Sequence, residues 1–252
     1  MAGEKILMHC CCGPCSSACI ERLAPDYDMT LFFYNPCIDD RDEYELRKAN
    51  LIKLVDTINA SGYVGVTAHG DQNPAGAAEE QPAVGGKAGD EDNQPATGGE
   101  ASDTKQSNGT VITPLKYGPV KVVEGKYNPE DYLDAVKGLE GEPEGGARCA
   151  VCFRMRLMEA ARYAKEQGFD GFTTTLTVSP HKNYQVISAI GREIGEEVGI
   201  EYYPFDFKKK DGFLHSIRLS KAYGLYRQDY CGCRFSKREN VHHYCGCRFS
   251  KR

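Results

Sequence analysis

The chain has 252 residues, a net charge of −5 and 12 cysteines. That length allows one or two domains. No apolar run approaches the roughly 20 residues of a membrane span, and the first one is too short for a secretory signal. These features argue for a cytoplasmic, reducing location and against a membrane. There, clustered cysteines signify metal, cluster or redox chemistry rather than structural staples.

Ile6-Leu7-Met8 leads into His9-Cys10-Cys11-Cys12-Gly13-Pro14-Cys15. This reads as a first strand over Lys5–His9, a Gly-Pro turn and a helix start, with Ser16 as cap and the helix running to Leu23. Met29–Tyr34 is a continuous β-rich run, a buried second strand. Asp42–Ile58 has a helical apolar pattern, and Tyr63–Thr67 begins a third strand.

Residues 66–110 differ from everything around them. They hold eight acids, two lysines and no aromatic residue, so they cannot bury enough apolar surface to fold. They are expected to be a disordered acidic insertion. Val111–Val123 resumes an extended segment. Asn128-Pro129 starts a short helix, Gly138–Gly146 is a loop, and Arg148–Gln167 is a long helix stopped by Gly168. Asp170–Thr175 is a strand, Pro180–Val198 a helix, Glu201–Phe205 a short strand and Phe213–Tyr226 a last helix. Strands alternating with helices predict an α/β fold, a mostly parallel sheet with helices on both faces.

The charge is uneven. Residues 208–252 carry twelve Lys or Arg against three acids, which suits a phosphate-rich partner. The nonapeptide Tyr230–Arg238 recurs letter for letter as Tyr244–Arg252. The second copy has no apolar pattern before it and is expected to be a dispensable, frayed tail. Residues 1–238 are then a single catalytic domain interrupted at 66–110, and 239–252 a disordered duplicate.

Three cysteine groups carry the chemistry. The first sits at the carboxyl end of strand one, where open α/β sheets bind ligands, beside a helix start that favours thiolate. Cys10 alternates to the opposite sheet face from His9 and Cys11, and is read as core. The second group, Cys149-Ala150-Val151-Cys152, opens a helix and puts two sulfurs on one turn. That bite suits zinc or a cluster, or serves redox chemistry. The third, Cys231-Gly232-Cys233, is a redox pair or a second ligand pair. Cysteine phosphatase chemistry is excluded, because the Arg of Cys-x5-Arg would fall on Ser16 or Ser17.

Together the motifs identify a resemblance. His9-x-Cys11-Cys12-x-Pro14-Cys15-Ser16, Phe33-Tyr34-Asn35-Pro36, Ala147-Arg148-Cys149-x-x-Cys152-Phe153-Arg154, Ser179-Pro180-His181-Lys182-Asn183 and Leu225–Cys233 resemble the epoxyqueuosine reductases of the QueH family. The resemblance implies a Rossmann-like fold and the last step of queuosine synthesis in tRNA, without cobalamin. It implies a 4Fe-4S cluster on Cys11, Cys12, Cys149 and Cys152, an additional mononuclear iron near Cys15, and a redox-active pair at Cys231 and Cys233. Partners would be a tRNA anticodon stem-loop carrying epoxyqueuosine and an unidentified electron donor. His181, Tyr34 and Tyr230 are candidate proton donors, with His181 foremost. Lys182 and Arg227 are candidate phosphate contacts, and Tyr223, Tyr226, Arg227, Tyr230, Arg234 and Phe235 a candidate RNA-stacking tract. Cys37 and Asp39-Asp40 depart from the family pattern, which has Asn and His-Pro there. A thiol-disulfide oxidoreductase without a cluster and a zinc-stabilised RNA-binding protein are the competing readings.

Overall fold

The structure is a computed structural model that describes residues 3–66 and 111–239. The acidic stretch from 67 and the duplicated tail from 240 fall outside the described residues.

Five parallel strands form the central sheet: β1 (Glu4–Cys10), β2 (Tyr27–Phe33), β5 (Lys121–Glu124), β6 (Gly171–Thr174) and β7 (Glu201–Tyr202). Their spatial order is β5-β2-β1-β6-β7. The chain therefore winds one way from β1 through β2 to β5, then returns to β1's other side and winds the opposite way. The crevice between the carboxyl ends of β1 and β6 is the topological switch point, where such sheets place their ligands.

Alternation along β1 divides the core. Ile6, Met8 and Cys10 pack with Ile20 and Leu23 of α1 (Gly13–Leu23) and with Leu51 and Leu54 of α2 (Arg41–Ser61). Leu7 faces the other way, onto Phe153, Leu157, Ala160 and Ala161 of α4 (Ala147–Glu166) and Ile187 and Ile194 of α5 (Tyr184–Val198). A doubly covered parallel sheet explains why β1 and β2 are continuous apolar runs rather than alternating ones. Short α3 (Pro129–Ala135), α6 (Gly212–Ala222) and α7 (Arg234–Glu239) complete the fold.

Several expectations are corrected. Tyr63–Val66 (β3) does not join the main sheet; it pairs antiparallel with β4 (Val111–Pro114) in a separate ribbon. The extended segment after residue 110 is therefore two strands, split by a turn that includes Gly118 at φ +103°. Ser16 does not cap α1. Cys12 is the N-cap, and Ser16 Oγ donates to the Cys12 carbonyl at 2.8 Å from inside the helix. The helix expected from Pro180 starts four residues later, where the Asn183 side chain accepts from the Gln185 and Val186 N–H groups. Asn and Asp outrank a proline turn as caps. His181 therefore lies in the preceding turn rather than in the helix. The helix expected over Phe213–Tyr226 stops at Ala222, with Gly224 at φ +56° just beyond. Helix α7 carried no apolar periodicity to announce it.

Candidate thiol site

Everything the three motifs contribute meets at the switch point. Cys11 and Cys12 follow β1, with Cys12 capping α1; Cys149 and Cys152 sit in the first turns of α4, and His181 lies after the 3₁₀ turn Thr175–Val178 that follows β6. Cys231 and Cys233 arrive from the segment after α6. Gly13 lets α1 enter this crowded place, since a Cβ there would lie 2.8 Å from the Asn50 carbonyl oxygen of α2.

The sulfurs of Cys11, Cys12 and Cys15 lie within 4.8 Å of one another, a group that could bind a metal. Soft thiolate donors fit iron or an iron–sulfur cluster better than magnesium or calcium. Cys149 and Cys152 line an adjoining cavity with Cys231, Cys233, Cys37 and His181. The four expected cluster ligands thus occupy neighbouring positions divided between these two groups. Cys10 is the core thiol expected, its Sγ 3.5 Å from the Phe32 carbonyl oxygen.

The helix start does not turn every nearby thiol toward thiolate. Hydrogen bonds from Cys12 and Cys15 pull the Cys11 thiol well down, helped by the charges of Arg156 and Lys182. Cys12 and Cys15 are pushed up, first by those same bonds. Close like charges in a dry site do not all ionise, so one anion is shared by the trio. Gln228 Nε2, at 3.0 Å, donates to Cys12 Sγ. The same division recurs at Cys37: a hydrogen bond from Cys152, then Arg156 and Arg47, pull it down, while Cys152 goes up. Burial pushes Cys231 up to about 12. Cys149 is pushed up too, also chiefly by burial, although the Gly145 N–H donates to its sulfur at 3.2 Å.

The Cys231-Gly232-Cys233 turn is clasped from below. Arg47 of α2, 1% exposed, donates from Nη1 to the Cys231 carbonyl at 3.0 Å and from Nη2 to the Tyr230 carbonyl at 3.1 Å. Its Nε pairs with Glu43 at 2.6 Å. Gly232 has φ +125°, and a Cβ there would sit 2.8 Å from Ile38 Cγ1, so this position admits glycine alone without rearrangement.

Of the candidate proton donors, His181 lines the cavity, and Tyr34 and Tyr230 do not. Tyr34 stacks beside Phe32 and burial pushes its hydroxyl up to about 12. Tyr230 lies under the Arg47 guanidinium, 5.2 Å from the ring centroid. Tyr132, unnoticed in the sequence, does line the cavity, with its hydroxyl beside Cys233.

The side chains of the stacking tract have partners within the chain, while Arg234 stays half exposed. The Tyr223 hydroxyl bonds Gly65, the Tyr226 hydroxyl bonds Glu43, and Arg227 bonds Ser220. Arg234 pairs with Asp39, and Phe235 lies under Arg148. Aromatic and arginine spacing alone could not separate surface display from this packing. Given no site role in the sequence were Cys37, Gln228, Arg47 and Arg156. The departure at Cys37 was the one visible signal; the others read as ordinary helix or loop residues.

Fold and site together define an α/β protein that gathers thiols from four chain segments at the carboxyl end of a parallel sheet. The sequence model of the family described as epoxyqueuosine reductase QueH matches residues 6–73 and 101–239, omitting the middle of the acidic stretch. The chain is 34% identical over 229 residues to the epoxyqueuosine reductase QueH of Streptococcus pyogenes, covering 91% of this chain and 69% of the relative. The proteins of the same name from Staphylococcus epidermidis and Thermotoga maritima are 32% and 27% identical, each over 92% of this chain and over 76% and 89% of their own. The chain belongs to the epoxyqueuosine reductase QueH family. No helix among the described residues is long and apolar enough to cross a membrane.

Proposed function

We propose that this protein reduces the epoxide of epoxyqueuosine in tRNA to the alkene of queuosine, as an iron–sulfur oxidoreductase of the cytoplasm. The observation that carries the reading is the grouping of Cys11, Cys12 and Cys15 beside a cavity lined by Cys37, Cys149, Cys152, Cys231 and Cys233 in a member of this family. Cys11, Cys12, Cys149 and Cys152 would hold a 4Fe-4S cluster, and Cys15 an additional iron. When bound, the cluster supplies single-electron transfer and the iron a Lewis acid.

The chain's own residues do the rest. The overall change takes two electrons and two protons, breaks both epoxide C–O bonds, forms the alkene and releases water. Cys231 and Cys233 together hold two electrons and two protons, which they surrender on closing to a disulfide. An external electron donor must then reduce that disulfide. His181 faces the same cavity and would carry a proton to the departing oxygen. Burial pushes the Cys231 thiol up, so it stays protonated until used.

The test is purification without oxygen, analysis for iron, sulfide and zinc, and turnover on tRNA carrying epoxyqueuosine. Brown protein with sulfide near stoichiometry and queuosine as product is the expected result. Colourless zinc protein that leaves the epoxide intact overturns the proposal and favours a zinc-stabilised RNA-binding protein.

A further inference from the structure

Arg156 of α4 is 1% exposed and has no carboxylate partner among the described residues. Its Nε lies 3.2 Å from His9 Nε2, Nη2 donates to Asn35 Oδ1, and Nη1 is 3.9 Å from Cys152 Sγ. Arg47, another buried arginine at the site, has Glu43. The difference is one of chemistry, since a guanidinium does not shed its proton and must remain a buried cation. Isolating such a charge from water costs several kcal/mol per ion, which neutral acceptors offset only in part.

Those neutral acceptors are themselves locked in place. His9 Nε2 lies between the Arg156 Nε–H and the Tyr34 carbonyl oxygen, 3.1 Å away, and Nδ1 bonds Thr174 Oγ1 at 2.9 Å, so the ring is held at both nitrogens. Asn35 Nδ2 donates to the Cys10 carbonyl at 3.0 Å, which turns Oδ1 toward the guanidinium. Two strands and a loop thus aim one permanent positive charge at the thiol groups. Cys37, Cys152, Cys11 and Cys231 lie close enough to interact electrostatically with Arg156 when they carry charge.

We propose that Arg156 is the built-in counter-charge of the anionic, thiolate-bound group at this site, a positioning residue that makes uptake of an electron there easier. The inference rests on the proposed cluster. Adding an electron adds negative charge, so a fixed cation nearby favours the reduced form and raises the potential. Charge, hydrogen bonding and exposure are the terms by which a protein sets such potentials.

The experiment reconstitutes the full chain with iron and sulfide without oxygen and measures the midpoint potential by redox titration. Wild type, Arg156→Gln and Arg156→Lys are compared. Arg156→Gln should titrate at a more negative potential, and Arg156→Lys closer to wild type than to Gln. A change that merely loosened packing would lower the melting temperature without ordering the potentials by charge. A brown Arg156→Gln protein with the wild-type potential overturns the inference and leaves the proposed function standing. Should Arg156→Gln fail to fold by circular dichroism, Arg156→Lys decides alone. A folded Lys variant near the wild-type potential supports a role for charge, and one shifted well below it overturns that role. Wild-type protein that takes up no iron overturns the proposed function, and this inference with it.

Discussion

Arg47 should be the residue that keeps the Cys231-Gly232-Cys233 turn over the site. Arg47→Ala removes the donors to the Tyr230 and Cys231 carbonyls and the 2.6 Å pairing with Glu43. Glu43, 10% exposed, is left with the Tyr226 hydroxyl at 3.0 Å. Removing one side of a buried ion pair costs about 3–5 kcal/mol. The two carbonyl bonds, about 1.5–3 kcal/mol each from a charged donor, share the same desolvation and are not added on top. Against a total stability of about 5–15 kcal/mol, that is a large fraction. With a urea slope of about 2 kcal/mol/M, the unfolding midpoint should fall by about 1.5–2.5 M. The assay is urea unfolding followed by circular dichroism, with reductant and without oxygen, alongside turnover. Turnover should fall as well, because Gly232 holds its φ of +125° only while Ile38 and Arg47 frame it. Arg47→Lys keeps a charge near Glu43 but cannot reach both carbonyls, and should be intermediate. A midpoint that moves by less than about 0.3 M, with wild-type turnover, would refute the clasp.

Cys11→Ser, Cys12→Ser, Cys149→Ser and Cys152→Ser should each lose iron, because hard oxygen replaces soft sulfur. Cys10→Ser should keep it, and iron analysis after anaerobic purification checks both. For His9, burial and Arg156 hold the folded pKa at about 3 against roughly 6.5 unfolded. The unfolded chain then binds a proton that the folded one refuses. Stability from this group is complete above about pH 6.5 and falls toward pH 3 by about 1.4 kcal/mol per unit. Urea midpoints between pH 7 and 5 should drop more steeply in wild type than in His9→Asn, and equal slopes would count against it. For the duplicated nonapeptide, truncation after Arg238 should leave an active enzyme, whereas Cys231→Ser/Cys233→Ser in the full chain should stay brown and stop turning over. Normal turnover by that double variant would shift the role to Cys245 and Cys247 or remove it from the pair altogether.

What the sequence by itself determined was local and periodic. The apolar runs of β1 and β2 marked strands buried on both faces, and alternation along β1 placed Cys10 in the core and its neighbours at the site. Glycines at 168 and 199, at φ +70° and +72°, marked where α4 and α5 stop. The motif order carried the family, and with it the thiols to watch. Pairing partners were beyond its reach. Nothing local distinguishes β3 as half of a separate ribbon from β3 as a sheet member, since both bury an extended segment. The internal partners of the aromatic and arginine tract after α6 were not legible, because chemistry alone does not say which neighbour a side chain meets. The buried charges were decided last of all. Arg47 and Arg156 lie on helices α2 and α4 among many charged residues. Only the packing of those helices around the switch point gives one of them a carboxylate and the other a set of thiols. An ion's energy depends on what surrounds it within a few ångströms, and for these two the decisive partners lie up to 184 residues away along the chain.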